Sequence, residues 1–133
     1  PAWYTLLRFE YEGQADLGQC SLSGRGRLRP DSQDAWIYHT AHTIPVRHFK
    51  HYNFELGRYG CDTKLIFILS LMKFKAYNEP KKVRIYHYHS TETRVPYFGD
   101  ERGFHLKPPY GVCEPNIELS RPDAQGVRND NST

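Results

Sequence analysis

"CDTKLIFILSLMKF", Cys61 to Phe74, is the segment around which we expect the rest of the chain to pack. It predicts a helix, because long apolar side chains run from Leu65 to Phe74 without a glycine or a proline. Asp62 stands where an N-cap or first-turn carboxylate is favoured. The apolar residues surround nearly the whole cylinder of this helix. We therefore expect a helix that is buried rather than one that lies on the surface.

Segments rich in strand-forming residues lie on both sides of this helix in the chain. Ala2 to Tyr11 and Asp34 to Thr40 predict strands, because β-branched and aromatic residues dominate them. Thr43 to Phe49 offers another strand, broken by Pro45, and Lys82 to His89 predicts one by its two-residue alternation. Strands that alternate with a buried helix predict an α/β fold, a mixed sheet with the helix packed on it.

The length of the chain predicts one domain. Its 133 residues are enough for a single core. We expect residues 1–116 to form this domain. Residues 117–133 lack core residues, and we expect a flexible tail there.

Composition excludes several classes of protein. Apolar residues make up 38% and charged residues 25% of the chain, which is typical of a globular protein. The formal charge of +3 is too mild to indicate a nucleic-acid binder. No apolar run reaches the ~18 residues that would predict a membrane span. Three widely spaced cysteines without a CxxC pair favour free thiols over a disulfide framework.

Two histidines are the first candidates for chemistry. His87 and His89 lie in "VRIYHYHSTETR", Val83 to Arg94. On a strand, residues two apart point to the same face, about 6.5–7 Å from one another. That spacing lets two imidazoles converge on one metal ion or on one anionic group. The alternative is that both are half-exposed strand residues without a ligand, and the spacing leaves this alternative open.

Acidic, aromatic and cationic residues supply the other candidates. Asp62 follows a glycine turn and could act as a general base, although a helix cap explains the same position. Asp34 lies close to Trp36, and carboxylates beside an aromatic ring can hold a sugar. Ordinary turn residues before a strand would look the same. Arg94 could bind a phosphate through two parallel hydrogen bonds, or it could be a simple surface residue.

Taken in order, these stretches resemble the C-terminal half of a glycosyltransferase-like family that uses nucleotide sugars. The resemblance rests on "SQDAWIY", then "LGRYGCDTKLIFILSLMKFKAYNEP", then "VRIYHYHSTETR", then "PPYGV". It covers roughly Trp3 to Val112. Thr63 stands where the family has asparagine after the aspartate, and no DxD motif occurs in the chain.

The resemblance implies a GT-A-type fold, related to the Rossmann fold, and transfer of a sugar from a nucleotide donor to an acceptor glycan or protein. It implies Asp62 as the base, with Asp34 on the acceptor side. His87 and His89 would approach the donor diphosphate or a divalent metal, Mn²⁺ or Mg²⁺, and Arg94 would help to neutralise the leaving group. We expect the chain to hold only part of such an enzyme within a larger chain or assembly. A non-catalytic binding or structural module is the alternative.

Overall fold

The computed structural model describes residues 1–24, 28–88, 105–118 and 126–130. In these ranges the chain forms an α/β fold with small mixed sheets and few helices, which confirms the predicted class at this level. The strands are β1 (Ala2–Leu6), β2 (Phe9–Tyr11), β3 (Ser21–Leu22), β4 (Ala35–Tyr38), β5 (Lys75–Tyr77), β6 (Tyr86–Tyr88), β7 (Tyr110–Cys113) and β8 (Val127–Asp130). The helices are α1 (Phe49–Tyr52) and α2 (Cys61–Leu71). Neither of these helices is long and apolar enough to cross a membrane.

Two three-stranded sheets repeat the same arrangement. In the first, the central strand β1 pairs antiparallel with β4 and parallel with β5. In the second, the central strand β2 pairs antiparallel with β3 and parallel with β6. The remaining pair, β7 and β8, is antiparallel. Only Leu7 and Arg8 separate β1 from β2, so the central strands of the two mixed sheets follow each other directly in the chain.

The predicted strand from Ala2 to Tyr11 is interrupted at Leu7 and Arg8. At this break the backbone leaves the regular ladder, and other groups take up its hydrogen bonds. Asp34 donates its backbone N–H to the carbonyl of Leu6 (3.0 Å), and Ser23 donates to the carbonyl of Arg8 (2.9 Å). The N–H of Leu7 goes to a side chain, that of Asn78, and the break is therefore stabilised from outside the sheet.

The fully buried Asn78 amide joins three distant segments. Its Oδ1 accepts the N–H of Leu7 at 2.9 Å, and its Nδ2 donates to the carbonyl of Cys113 at 3.0 Å. Its own backbone carbonyl accepts the N–H of Asn116 at 2.7 Å. A buried polar group without a partner is costly, so these bonds specify how the strand break meets the end of β7.

Helix α2 ends in a left-handed residue that is not glycine. Lys73 has φ 59°, and its N–H donates to the carbonyl of Ser70, while Phe74 donates to Leu69. This pair of bonds defines a Schellman motif, with a hydrophobic contact between Phe74 and Leu69 in the core. The predicted helix to Phe74 is therefore three residues too long, because Phe74 has already turned back into the core.

The core lies between α2 and the strands β1, β5 and β7. Its buried residues are Trp3, Ile66, Leu69, Phe74, Ala76 and Cys113. Leu71 at the end of the helix is exposed, so α2 is not buried all round as its composition predicts. All three cysteines are free, as expected, and burial raises the pKa of the Cys113 thiol to about 11.

At Gly111, the backbone of β7 packs directly against the backbone of α2. A Cβ atom on Gly111 would lie 2.7 Å from the backbone nitrogen of Phe67 and 2.9 Å from its Cα. Real Cβ contacts are not that short, and helix backbone cannot yield as a flexible side chain can. Glycine is therefore required at position 111 for this approach.

Two further expectations from the sequence differ from the structure. Residues 43–49 do not form a strand, because Pro45 leads into a 3₁₀ turn at Val46–His48 that continues into α1. Proline has no N–H for a ladder and has a fixed φ, here −61°. Residues 127–130, which were expected to be flexible, form β8 against β7. Their partner is a strand at a distance in sequence, which the local composition does not reveal.

Asn78→Ala should destabilise the fold by about 2–5 kcal/mol, because it leaves the Leu7 N–H and the Cys113 carbonyl buried without partners. Urea denaturation measures the free energy of unfolding. Asn53→Ala is the matched control, since Asn53 is exposed and should cost less than about 0.5 kcal/mol. Equal stability of the two variants would contradict the role of Asn78.

Gly111→Ala should destabilise the fold by roughly 1–3 kcal/mol, because the added methyl group pushes β7 away from α2. Thermal unfolding followed by circular dichroism measures the loss. In Gly18→Ala, the new Cβ meets only the carboxylate of Asp16, at 3.2 Å, and the melting temperature should change little. A Gly111→Ala protein as stable as Gly18→Ala would show that the two backbones can separate at low cost.

Candidate functional site

His87 faces a carboxylate on the neighbouring strand. In the parallel register of β2 and β6, Glu10 is the Cα partner of His87. Cross-strand partners point to the same face of a sheet. His87 Nδ1 lies 3.4 Å from Glu10 Oε2. The rings of Tyr86 and Tyr88 pair instead with those of Phe9 and Tyr11, at 5.7 and 5.5 Å between centroids. The predicted alternation of histidine and tyrosine is confirmed from Tyr86 to Tyr88.

Arg8 connects this pair to the segment before β4. Its Nε donates to Glu10 Oε1 at 2.8 Å, and one terminal nitrogen donates to Asp34 Oδ1 at 2.8 Å and to Ser32 Oγ at 3.0 Å. Asp34 Oδ2 lies 3.9 Å from His87 Nδ1. We call Arg8, Glu10, Ser32, Asp34 and His87 the Arg8 cluster. The structure thus brings together Asp34 and His87, two of the residues that the sequence singled out.

The Arg8 cluster is partly shielded from water. The charged side chains of Arg8, Glu10 and Asp34 are 14%, 22% and 29% exposed, and His87 is 37% exposed. Burial raises the pKa of Glu10, but the hydrogen bond with Ser23 and the charge and hydrogen bond of Arg8 outweigh it. The pKa of Glu10 is therefore below its ordinary value. The cluster holds two carboxylates, and Glu10 stays ionised beside the guanidinium and the imidazole.

The three residues Ser32, Gln33 and Asp34 link this cluster to Asp62. Ser32 and Asp34 both reach Arg8, whereas the backbone N–H of Gln33 donates to Asp62 Oδ2 at 3.3 Å. Asp34 donates its own N–H to the carbonyl of Leu6 on β1. Asp62 and Arg8 therefore contact neighbouring residues of one short segment.

Asp62 lies in the first turn of α2 but does not cap it through its side chain. The N-cap is Gly60, with φ 83°. Asp62 Oδ1 accepts the N–H of Thr63 at 2.9 Å. Burial raises the pKa of Asp62, and the hydrogen bonds from the backbone of Thr63 and Gln33 only partly offset it, while the charge of Asp31 raises it further. A carboxylate whose pKa is raised by burial can accept a proton more readily than an exposed one.

An exposed ion pair lies near Asp62. Arg29 donates to the carboxylate of Asp31 through two nitrogens, at 3.2 and 3.1 Å. The hydrogen bond from Arg29 holds the pKa of Asp31 below its ordinary value despite its partial burial. Asp31 therefore remains negatively charged and does not compete with Asp62 for a proton.

Trp36 contacts the core rather than the Arg8 cluster. It is the Cα partner of Thr5 on β1 and packs against the core residues named above. Its Nε1 is buried, and no described residue accepts its hydrogen. The face of the Trp36 ring that a sugar would cover is therefore partly occupied by protein.

His89 and Arg94 lie outside the described residues, so their predicted roles remain predictions. Among residues that the structure describes, no three His, Cys, Asp or Glu side chains are arranged to hold a metal ion. Glu10 and Asp34 each give one carboxylate oxygen to Arg8, which already supplies the local positive charge. The described part of the cluster therefore fits an arginine-neutralised site better than a metal centre.

Sequence reasoning missed Arg8, Glu10 and Ser32. Arg8 and Glu10 are two residues apart at the start of β2, the same spacing that drew attention to His87 and His89. The two-residue period applied to "RFEY" would have placed both side chains on one face. Ser32 gives no such signal, because its role depends on the approach of a separate strand.

Arg8→Gln should raise the pKa of Glu10, because it removes the charge and the hydrogen bond that lower this pKa. A lowered carboxyl pKa stabilises the fold above the ordinary glutamate value of ~4.3, and this stability is lost as the pH falls through the folded-state pKa. The variant should therefore lose stability at pH 7 and depend less on pH below 5. An NMR titration of the Glu10 carboxyl carbon measures the shift.

Arg29→Gln is the matched control for this titration, because Arg29 pairs with Asp31 on the exposed loop. It should leave the pKa of Glu10 unchanged. An unaltered Glu10 titration in Arg8→Gln would mean that Arg8 does not control the charge of the cluster.

Comparisons of the chain with protein-family models, with curated proteins and with solved structures found no match.

Proposed function

We propose that the chain is a glycosyltransferase-like domain of GT-A type, which takes part in moving a sugar from a nucleotide donor to a hydroxyl group of an acceptor. One observation carries the proposal. The backbone of the Ser32–Asp34 segment contacts Asp62, a carboxylate of raised pKa. Side chains of the same segment belong to the Arg8 cluster, which contains an arginine, a histidine and two acids. Transfer to a hydroxyl needs a base and positive charge near each other.

Asp62 is the proposed general base. The acceptor oxygen forms a bond to the anomeric carbon while the bond from that carbon to the diphosphate oxygen breaks. The proton of the acceptor hydroxyl passes to Asp62, and the electron pair of the broken bond leaves with the nucleoside diphosphate. Two backbone N–H groups orient the Asp62 carboxylate, and its burial favours uptake of the proton.

Arg8 and His87 are the proposed partners of the leaving diphosphate, with His89 and Arg94 as further candidates. Negative charge grows on this group in the transition state, and nearby cations stabilise it. Asp34 would accept hydrogen bonds from sugar hydroxyls through Oδ2, since Oδ1 is bonded to Arg8. Trp36 would contact the sugar only through the exposed part of its ring. A Mn²⁺ or Mg²⁺ ion bound with the donor would add charge, but the described residues do not form its site.

A binding module without catalysis is the second candidate, and one observation favours it. The guanidinium of Arg8 is already bonded to Glu10 and Asp34, so a diphosphate would have to displace a carboxylate before it gained the full charge. A cluster neutralised in this way can bind neutral sugar hydroxyls without rearrangement. Such a module would hold a glycan within a larger assembly.

Calorimetry with a panel of nucleotide sugars, first with Mn²⁺ and then with a chelator, tests the proposal. We expect binding, and Arg8→Gln should weaken it about tenfold or more through the loss of a charged contact. No binding of any donor under either condition would overturn the transferase proposal for this chain. Binding of sugars alone, without preference for the nucleotide, would favour the second candidate.

Asp62→Asn should lower donor turnover by about 10²–10⁴-fold, because a general base contributes that much, while donor affinity changes little. Release of nucleoside diphosphate in the presence of an acceptor measures turnover. Glu55→Gln is the matched control: Glu55 is an exposed carboxylate of the segment before α2, so turnover of this variant should stay near that of the parent protein. Full turnover in Asp62→Asn would remove Asp62 from the mechanism.

A further inference from the structure

A cavity of about 510 Å³ opens at the C-terminal end of α2, between this helix and the segment from Pro45 to His51. Helix α2 has 11 residues and so spans about 16 Å, which separates the cavity from Asp62 in its first turn. The volume is within the range of pockets that hold small molecules. The cavity is thus a separate site from the proposed transferase site, whose residues do not line it.

The floor of this cavity is apolar. Ile68, Leu71, Met72 and Phe74 line it. Ile68 and Phe74 are buried at its base, whereas Leu71 remains 58% exposed at its edge. Exposed apolar surface inside a concave site is the feature that an apolar ligand body would cover.

Two cations, Arg47 and Lys73, lie on exposed residues at the rim of the cavity. The lining also includes His48 and His51, and no aspartate or glutamate belongs to it among the described residues. Neither Arg47 nor Lys73 forms an ion pair with a described residue. The carbonyls of Leu69 and Ser70 at the helix end accept hydrogen bonds from Phe74 and Lys73, so they do not offset this positive charge as open acceptors.

Lys73 occupies a backbone position that glycine would fill with less strain. Its φ of 59° lies in the left-handed region, and it is the C′ residue of the Schellman motif described above. A non-glycine residue held in this region is a reason to look for a function of its side chain. The only polar group of the Lys73 side chain is its ammonium, and this residue lines the cavity.

We propose that this cavity binds a single anionic amphiphile, a molecule that joins a phosphate or carboxylate head to a hydrocarbon body. The hydrocarbon body covers the floor formed by Ile68, Leu71 and Phe74. The anionic head meets Arg47 and Lys73 at the rim, where charge-assisted hydrogen bonds are strong. A purely apolar ligand would leave the cations unused, and a small inorganic anion would leave the floor exposed to water.

Octyl phosphate, used below its micelle concentration, is the probe, and NMR titration measures its affinity. Octanol, octyltrimethylammonium and inorganic phosphate are the head-group and tail controls. We expect octyl phosphate to bind about tenfold or more tightly than octanol or phosphate, and the ammonium probe not to bind. Equal affinity for octanol, equal affinity for inorganic phosphate, or binding to phosphatidylglycerol vesicles without binding of octyl phosphate would each overturn the proposal.

Lys73→Gly separates the structural role of this residue from its binding role. Glycine fits the left-handed position, so the melting temperature should rise or stay level, while the affinity for octyl phosphate should fall about fivefold or more. Arg47→Gln should weaken binding similarly without raising the melting temperature. Lys75→Gln removes the same charge from an exposed position on β5, outside the cavity lining, and should leave the affinity unchanged. Unchanged affinity in both Lys73→Gly and Arg47→Gln would exclude the rim cations from binding.

Discussion

The side-chain amide of Asn78 joins the break between β1 and β2 to the end of β7, and the two mixed sheets meet in sequence at this break. It accepts a hydrogen bond from Leu7 and donates one to Cys113, at the point where the central strand leaves one sheet and enters the next. An amide is suited to this position because it is a donor and an acceptor at once and carries no charge. An aspartate could not donate to Cys113, and an apolar residue could do neither. The break between β1 and β2 therefore requires this one side chain.

The same break positions the candidate site. Arg8 is the residue that follows Leu7, and it leaves the regular ladder with its side chain directed to Ser32 and Asp34. Had the strand continued unbroken, Arg8 would have taken part in an ordinary pairing along β1. The polar cluster is thus a local result of the interruption, and the core on the α2 side is separate from it. The cavity described above lies at the far end of α2, where the helix stops.

Local patterns predicted the parts of the fold that depend on neighbours in sequence. The long apolar run of α2 and the alternation of Tyr86 to Tyr88 needed no distant partner. The end of α2 was misplaced because a lysine in the left-handed conformation is locally disfavoured. The interruption at Leu7 was missed because it depends on an amide 71 residues away.

The residues of the candidate site also divide into those that local sequence indicates and those that only distant contacts bring in. Asp34, Asp62 and His87 could be singled out by residue type and by their position beside a predicted element. Arg8 and Ser32 could not be joined to them, because their contacts arise only when two strands approach. Pro45 marked a break in the strand predicted from Thr43 to Phe49, and the structure has a 3₁₀ turn after it instead of a strand.

Parallel pairing also limits the order in which the fold can form. Strands β1 and β2 each need a parallel partner that comes more than 70 residues later in the chain. During synthesis the N-terminal strands therefore emerge long before β5 and β6, with one edge open to water and to other chains. Contacts of such long range make folding slow relative to helical proteins of the same size. The Arg8 cluster, which takes His87 from β6, therefore cannot be complete before that strand has been made.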